Sequence, residues 1–186
     1  MVKAPVAGRV KTRLAREVGV TEAVRTYRAL TTSLLRRVGR DPRWRTILAV
    51  APDHHLRSRF WPTRLRRMAQ GPGDLGQRMG RVFAQSWPGE IVLVGSDVPG
   101  IRARHIAEAF RSLGRHPVVF GPAEDGGYWL VGMRRRPRTP RIFERVRWSS
   151  AHALADTRRN VGGPSGTVQV LSDLDDAADW RRWRRA

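Results

Sequence analysis

Three short runs of uninterrupted apolar residues, Ile47-Leu48-Ala49-Val50-Ala51, Ile91-Val92-Leu93-Val94 and Val118-Val119-Phe120, alternate with segments whose apolar residues recur every three or four positions. An unbroken run with no polar alternation is the pattern of a strand covered on both faces, which belongs mostly to parallel sheets flanked by helices. The intervening stripes predict helices. Val24, Tyr27, Leu30, Leu34, Leu35 and Val38 follow Thr21-Glu22; Leu75, Met79, Val82 and Phe83 form a second stripe; Ile106, Ala109, Phe110 and Leu113 form a third. Trp148-Ser149-Ser150 is expected to cap another helix, and Thr167 to Leu171 to form a last strand. Arg134 to Pro140 reads as an exposed basic connector. Trp44, Phe60 and Trp61 read as packing residues. The alternation predicts an α/β fold of three layers, α/β/α, with a mostly parallel sheet. At 186 residues it is expected to be a single domain, 1–186.

The chain carries 36 Lys and Arg against 16 Asp and Glu, for a net charge of +20. Such a balance ordinarily suggests an anionic partner, but 34 of the basic residues are Arg scattered over the whole length. That looks like a compositional bias. The two lysines, Lys3 and Lys11, both fall within the first thirteen residues. A compact ammonium is not interchangeable with a guanidinium where a phosphate is met as a point charge, so both are candidates for phosphate binding. No apolar run is long enough to span a membrane, and no signal-peptide core is visible. Zero cysteines exclude disulfides and fit a cytoplasmic protein, and the five histidines lack zinc-ligand spacing.

Four stretches carry candidate chemistry. Val2 to Leu14 concentrates Lys3, Arg9, Lys11 and Arg13 around Pro5 and Gly8, then enters a helix near Thr12, whose positive end would add to the attraction for phosphate. A solvated basic tail is the alternative. The second, Gln70 to Met79, is glycine-rich; Asp74 suits the cap of the next helix, and the glycines suit close approach of backbone to a ligand. In the third, Gly95-Ser96-Asp97-Val98-Pro99-Gly100 brings Asp97 to a strand end, where ligands of open α/β sheets bind. An Asx-turn or a helix cap would also account for Asp97. The fourth, Gly121 to Gly132, places Glu124-Asp125 before Gly126-Gly127-Tyr128; a hairpin turn explains Asp125-Gly126 but not Glu124. Acids gather again at Asp173, Asp175, Asp176 and Asp179, more than one helix cap needs.

Lys-Ala-Pro-x-x-Gly-Arg-Val-Lys-Thr-Arg-Leu, Gly-Asp-Leu-Gly-x-Arg-Met, Gly-Ser-Asp-x-Pro-Gly and Gly-Pro-Ala-Glu-Asp-Gly-Gly-Tyr, in this order over nearly the whole chain, resemble the transferase family associated with radical-SAM/selenodomain proteins. That family is a branch of the nucleotide-diphospho-sugar transferase (GT-A) superfamily, sometimes tied to arsenosugar biosynthesis, and is similar to guanylyltransferases of the phospholactate type. The resemblance implies a GT-A-like fold and a transferase using a nucleotide-activated donor, a nucleotide sugar or a nucleoside triphosphate, with Mg²⁺ or Mn²⁺ and a small-molecule acceptor. Glycosyl transfer is the favoured reaction and nucleotidyl transfer the alternative. An arginine-rich nucleic-acid binder without catalysis is a third and less favoured reading.

The implied roles follow by position. Lys3, Gly8, Arg9, Lys11, Arg13, Gly73, Asp74 and Gly76 bind nucleotide and phosphate. Glu124, Asp125, Gly126, Gly127 and Tyr128 face the acceptor. Asp97 and Asp175 hold metal, and Asp97, Lys11 and Asp125 carry catalysis. Two departures stand out. The family has Thr and Pro where this chain has Asp176 and Ala177, and a full aliphatic strand where this chain has only Met1 and Val2. The expectation is therefore a first strand that is very short or lacks its beginning.

Overall fold

The computed structural model describes residues 1–135 and 140–185, so most of the expected connector from Arg134 to Pro140 lies outside the described residues. Strand β1 (Val2–Lys3) pairs in parallel with β2 (Ile47–Ala51), and β2 with β3 (Arg66–Ala69), setting Val2 opposite Val50 and Ala49 opposite Met68. Parallel neighbours need a long crossover. Between β1 and β2 it is made by α1 (Thr12–Val18) and α2 (Val20–Val38). The other strands are β4 (Glu90–Val94), β5 (Val118–Pro122), β6 (Tyr128–Arg134) and β7 (Gly166–Thr167), in the order β4-β6-β5-β7. The Met1 amino group donates to the Val94 carbonyl, which sets β1 beside β4 and joins the two sets. Among the described strands, only the pairings of β6 with β4 and β5 are antiparallel, so the sheet is mostly parallel, as expected.

Helices α3 (Leu75–Gln85), α4 (Ala103–Leu113), α5 (Ala153–Val161) and α6 (Ala177–Arg185) complete the layers. Leu34 and Val38 of α2 pack with Ile106, Ala109 and Leu113 of α4 against Val119 and Leu130. Met79, Val82 and Phe83 of α3 pack against Phe120, Val131 and Met133. Alternate residues of β5 and β6 thus enter different clusters, one under each helical layer. The sequence pattern covers β4 on both faces as it does β2 and β5, and the structure corrects this for β4. Only Leu93 of β4 is buried, whereas Val118, Val119, Phe120 and Leu130 have no exposure. The Asp125-Gly126 hairpin folds β6 back between β4 and β5, so the interior of the sheet belongs to β5 and β6.

Other departures are local. Helix α1 starts at Thr12, as expected, and its cap position is Lys11, in the left-handed region at φ 47° with no side-chain bond to the helix. Ser149 and Ser150 do not cap α5, which starts from His152; Ser150 Oγ donates to the Arg147 carbonyl and accepts from His152 N, closing a turn instead. Asp74 does cap α3, in a reciprocal box with Gln77. The expected last strand shrinks to Gly166–Thr167, with one further bridge at Leu171. Trp44 and Trp61 are packing residues, their indole nitrogens bonded to Val38 and His55 carbonyls.

Strand β3 was not legible from its apolar pattern, because Arg66-Arg67 opens it. Arg67 reaches back to the preceding loop, where its guanidinium donates to the carbonyls of Leu56, Trp61 and Pro62. Hydrogen bonds from a charged donor contribute about 1.5–3 kcal/mol each at most, with neighbours on one group overlapping. Arg67→Ala is therefore expected to lower Tm by about 4–8 °C at this chain length. Exposed Arg66→Ala should leave it within about 2 °C. Scanning calorimetry of the two variants decides the matter, and equal Tm values would deny Arg67 this bracing role.

Candidate functional site

Lys3 ends β1, Asp97 lies three residues beyond β4, and Asp125 sits in the β5–β6 hairpin, so three strand ends bring polar groups to one side of the sheet. They line a cavity of about 580 Å³ together with Lys11, Arg13, Tyr27, Tyr128, Trp148 and Asp175. At its centre Lys11 Nζ lies 3.2 Å from Asp97 Oδ2 and 3.0 Å from Asp175 Oδ1. The lysine side chain is only 4% exposed, the carboxylates 40%. Arg13 Nη1 takes the other oxygen of Asp175 at 3.3 Å, and Leu174 N donates to the Asp97 carbonyl at 3.0 Å. The segment after β7 is thereby pinned to the loop after β4. Burial pulls the lysine pKa down, but the charges and hydrogen bonds of Asp97 and Asp175 outweigh it and hold the ammonium above the ordinary lysine value.

Neither bland account of Asp97 fits. Helix α4 starts from Arg102, not Asp97, and among the described residues the Asp97 carboxylate accepts its hydrogen bond from Lys11. Of the four clustered C-terminal acids, Asp176 and Asp179 serve the start of α6, accepting backbone N–H groups there. Asp175 faces the cavity. Asp173 has its pKa pushed up to about 6, first by burial and then by Asp175, Asp125 and Asp97, with Lys11 opposing. Four carboxylates therefore share one electrostatic neighbourhood.

The remaining expected residues divide. Lys3 lines the central cavity and also a second one of about 440 Å³, shared with Arg9, Asp53, Gly71, Pro72 and Arg78. Gly8 lies in the turn before Lys11. Gly73 and Asp74 are exposed and line neither cavity. Gly76 has a packing reason: a Cβ there would come within 2.6 Å of the Trp148 ring and 2.8 Å of the Phe143 carbonyl, so the glycine lets Trp148 lie against α3. Asp125 performs the turn, accepting from Gly127 N at 2.9 Å, and also lines the cavity. Gly126 takes positive φ against the Ala151 carbonyl. Glu124 is exposed and lines neither cavity.

Sequence reasoning missed several cavity residues. Tyr27 Oη accepts from Lys3 N at 2.8 Å and pairs with Ser96 Oγ at 3.0 Å, and burial raises its pKa. Gln70 Nε2 donates to the Val2 and Ala49 carbonyls, holding β1 to β2 beneath the site. Tyr27 stood inside a core stripe, and nothing in its spacing set it apart. Gln70 opens the glycine-rich stretch read toward the nucleotide, but its bracing of β1 and β2 was not legible without β3.

An α/β/α sheet with a basic, carboxylate-centred cavity at its strand ends is the class of fold and site defined here, and solved structures share the fold. The "putative nucleotide-diphospho-sugar transferase" of Desulfovibrio desulfuricans G20 has a solved structure that superposes with a TM-score of 0.87 at 28% identity, covering 99% of this chain and 84% of that one. A second solved structure, a homologue of Mycobacterium tuberculosis rv0371c from Mycobacterium sp. strain JC1, shares the fold at a TM-score of 0.54 and 15% identity, over 84% of this chain and 80% of that one. The chain belongs to the DUF2064 family, described as uncharacterized proteins conserved in bacteria, which matches residues 34–150. That span holds Asp97 and Asp125 but neither Lys11 nor Asp175. No curated protein matches the sequence. No helix among the described residues is long and apolar enough to cross a membrane.

Proposed function

We propose that this protein is a divalent-metal-dependent transferase that takes a nucleotide-activated donor and moves a glycosyl group to a small-molecule acceptor. The observation that carries the reading is the meeting of Lys11, Asp97 and Asp175, from three motifs far apart in sequence, in one cavity with Asp125. The Desulfovibrio "putative nucleotide-diphospho-sugar transferase", alike in fold at 28% identity, supports the same class.

The donor set suits Mg²⁺ or Mn²⁺ of one kind. Asp97 and Asp175 both aim an oxygen at the point now held by Lys11 Nζ, and among the described residues no group of three or more acids or histidines is placed to hold an ion. Two carboxylates suit an ion that is completed by substrate phosphates and water, not by an all-protein cage. Asp97 and Asp175 would hold Mg²⁺ or Mn²⁺, which would supply positive charge to offset that building on the leaving group. Lys3 lines both cavities, so the phosphates lie across it, with the nucleoside toward Arg9, Gly71 and Arg78. Lys11 and Arg13 supply cations from the side of α1. Asp125, which lines the cavity beside Tyr128 and Trp148, serves in this reading as the acceptor-side carboxylate that takes a hydroxyl proton.

Asp173-Leu174-Asp175 resembles the Asp-x-Asp of related nucleotidyltransferases, and its second acid lines the cavity, which favours nucleotidyl transfer as a second reading. The products separate the two: a nucleoside diphosphate from a nucleotide sugar, pyrophosphate from a nucleoside triphosphate. Thermal-shift titration of nucleotide sugars and nucleoside di- and triphosphates with Mn²⁺ is the first experiment. At 100 times Kd a ligand stabilises by about 2.7 kcal/mol, or about 5–11 °C at this chain length. No shift with any nucleotide, together with single-strand binding that collapses as salt rises, would instead support the arginine-rich nucleic-acid reading.

A further inference from the structure

We infer that Lys11 makes metal and nucleotide binding interdependent: in the free protein its ammonium fills the metal position between Asp97 and Asp175, and only a donor phosphate releases it. The inference rests on the metal reading proposed above. Its observation is separate: the cation on the two carboxylates is a side chain of the protein itself.

Nζ makes hydrogen bonds to Asp97 Oδ2 and Asp175 Oδ1, so it stands where an ion held between those two oxygens would stand. Two cations cannot share that point, because at such a separation they repel strongly. An ion entering alone must expel the ammonium from a place where its side chain is 4% exposed, and the expelled charge loses two carboxylates with no replacement. Arg13 cannot take over the role, because it is 72% exposed and reaches only the outer oxygen of Asp175. A donor phosphate changes the exchange. It offers oxygens to the ion and a new anion to Lys11, so each ligand removes the obstacle to the other.

The lysine is also held from the backbone side. It occupies the left-handed region at the cap of α1, and its carbonyl accepts from Ala15 N, which fixes where the side chain starts. Its retreat is therefore a change of side-chain rotamer above a fixed Cα. Coupling of this kind is reciprocal: the factor by which nucleotide strengthens metal binding equals the factor by which metal strengthens nucleotide binding.

The test is Mn²⁺ binding followed by water-proton relaxation, which distinguishes protein-bound ion from ion that is free or on nucleotide. Mn²⁺ is used alone and with UDP or GDP, on the parent and on Lys11→Met and Lys11→Gln. Two variants are used so that a folding failure of one leaves the other, and circular dichroism verifies each fold. In the parent, Mn²⁺ alone should bind weakly and at least about tenfold more tightly with nucleotide, a typical coupling. In the variants, Mn²⁺ alone should bind about tenfold more tightly than in the parent, and the gain from nucleotide should shrink to what its phosphate oxygens contribute by ligating the ion directly. Parent-like weak binding of Mn²⁺ alone by the folded variants, or full coupling retained in them, overturns the inference while leaving the metal reading intact. No Mn²⁺ uptake by any protein, with or without nucleotide, overturns the metal reading and this inference with it.

Discussion

Asp97→Asn is expected to abolish Mn²⁺-dependent nucleotide binding while leaving Tm within about 2 °C of the parent, as substitutions that keep shape and hydrogen bonding do. Asparagine is nearly isosteric, so a residue that only shaped a turn would tolerate it. The backbone bond from Leu174 N to the residue 97 carbonyl does not involve the side chain and survives. What disappears is charge. A hard divalent ion draws on anionic oxygen, and an amide supplies none. Lys11 would also lose one of its two counter-charges. The loss should exceed about 100-fold in affinity, the upper end of what is seen for residues that merely support a metal ligand. Calorimetry with UDP and GDP in the presence of Mn²⁺ measures it. Parent-like affinity would remove Asp97 from the site.

Asp156→Ala is expected to give the largest stability loss, because this carboxylate holds a segment that walls the cavity. Its side chain is 4% exposed and accepts from Arg147 N, Nε and Nη2 and from Arg159 Nη1. The next residue along from Arg147 is Trp148. Removing a multiply bonded, buried carboxylate belongs with the severe substitutions, and a Tm lower by about 5–10 °C is expected at this length. The bonds from Arg147, side chain first and backbone next, hold the Asp156 carboxyl far below the usual carboxylate range. Its folded pKa is thus below its unfolded one. The stability it contributes is present in full above the unfolded value near 4 and drains away as pH falls below it. The parent should therefore lose Tm between about pH 4 and pH 2 more steeply than Asp156→Asn. Parallel melting curves over that range would mean that the pair adds nothing.

Much of this could be read from residues alone, for identifiable reasons. The helices α2, α3 and α4 announced themselves because each buries one stripe, and β2 and β5 because their runs are continuous. Lys11 stood out as a lysine among arginines, Asp97 as a carboxylate just past a strand end, and Asp175 among more acids than a helix cap needs, its role implied by the family resemblance. What stayed hidden depends on distance in space. Whether β4 or β6 occupies the middle of the sheet is decided by how a hairpin folds back, and no periodicity within either strand records it. Arg66-Arg67 disguised β3, since a strand end that braces a loop with a guanidinium looks like solvent-facing sequence. Gly76 was read toward a ligand when its neighbour is Trp148, and the pairing of Arg147 with Asp156 has no local signature.

The bond between Lys11 and Asp175 joins residues 164 positions apart. A ribosome delivers the basic loop first and that aspartate very late, and amino-terminal parts tend to fold as they emerge. During synthesis, Lys11 and Asp97 can meet while the third member of the cluster is still in the exit tunnel. The nascent chain then holds a neutral Lys11–Asp97 pair that lacks its second carboxylate, with β7 and α6 still to dock. Competence to bind a ligand should arrive abruptly, once the stretch around Leu174 closes onto the Asp97 carbonyl. A stalled or clipped chain that stops before that point would keep most of its sheet and still be inert.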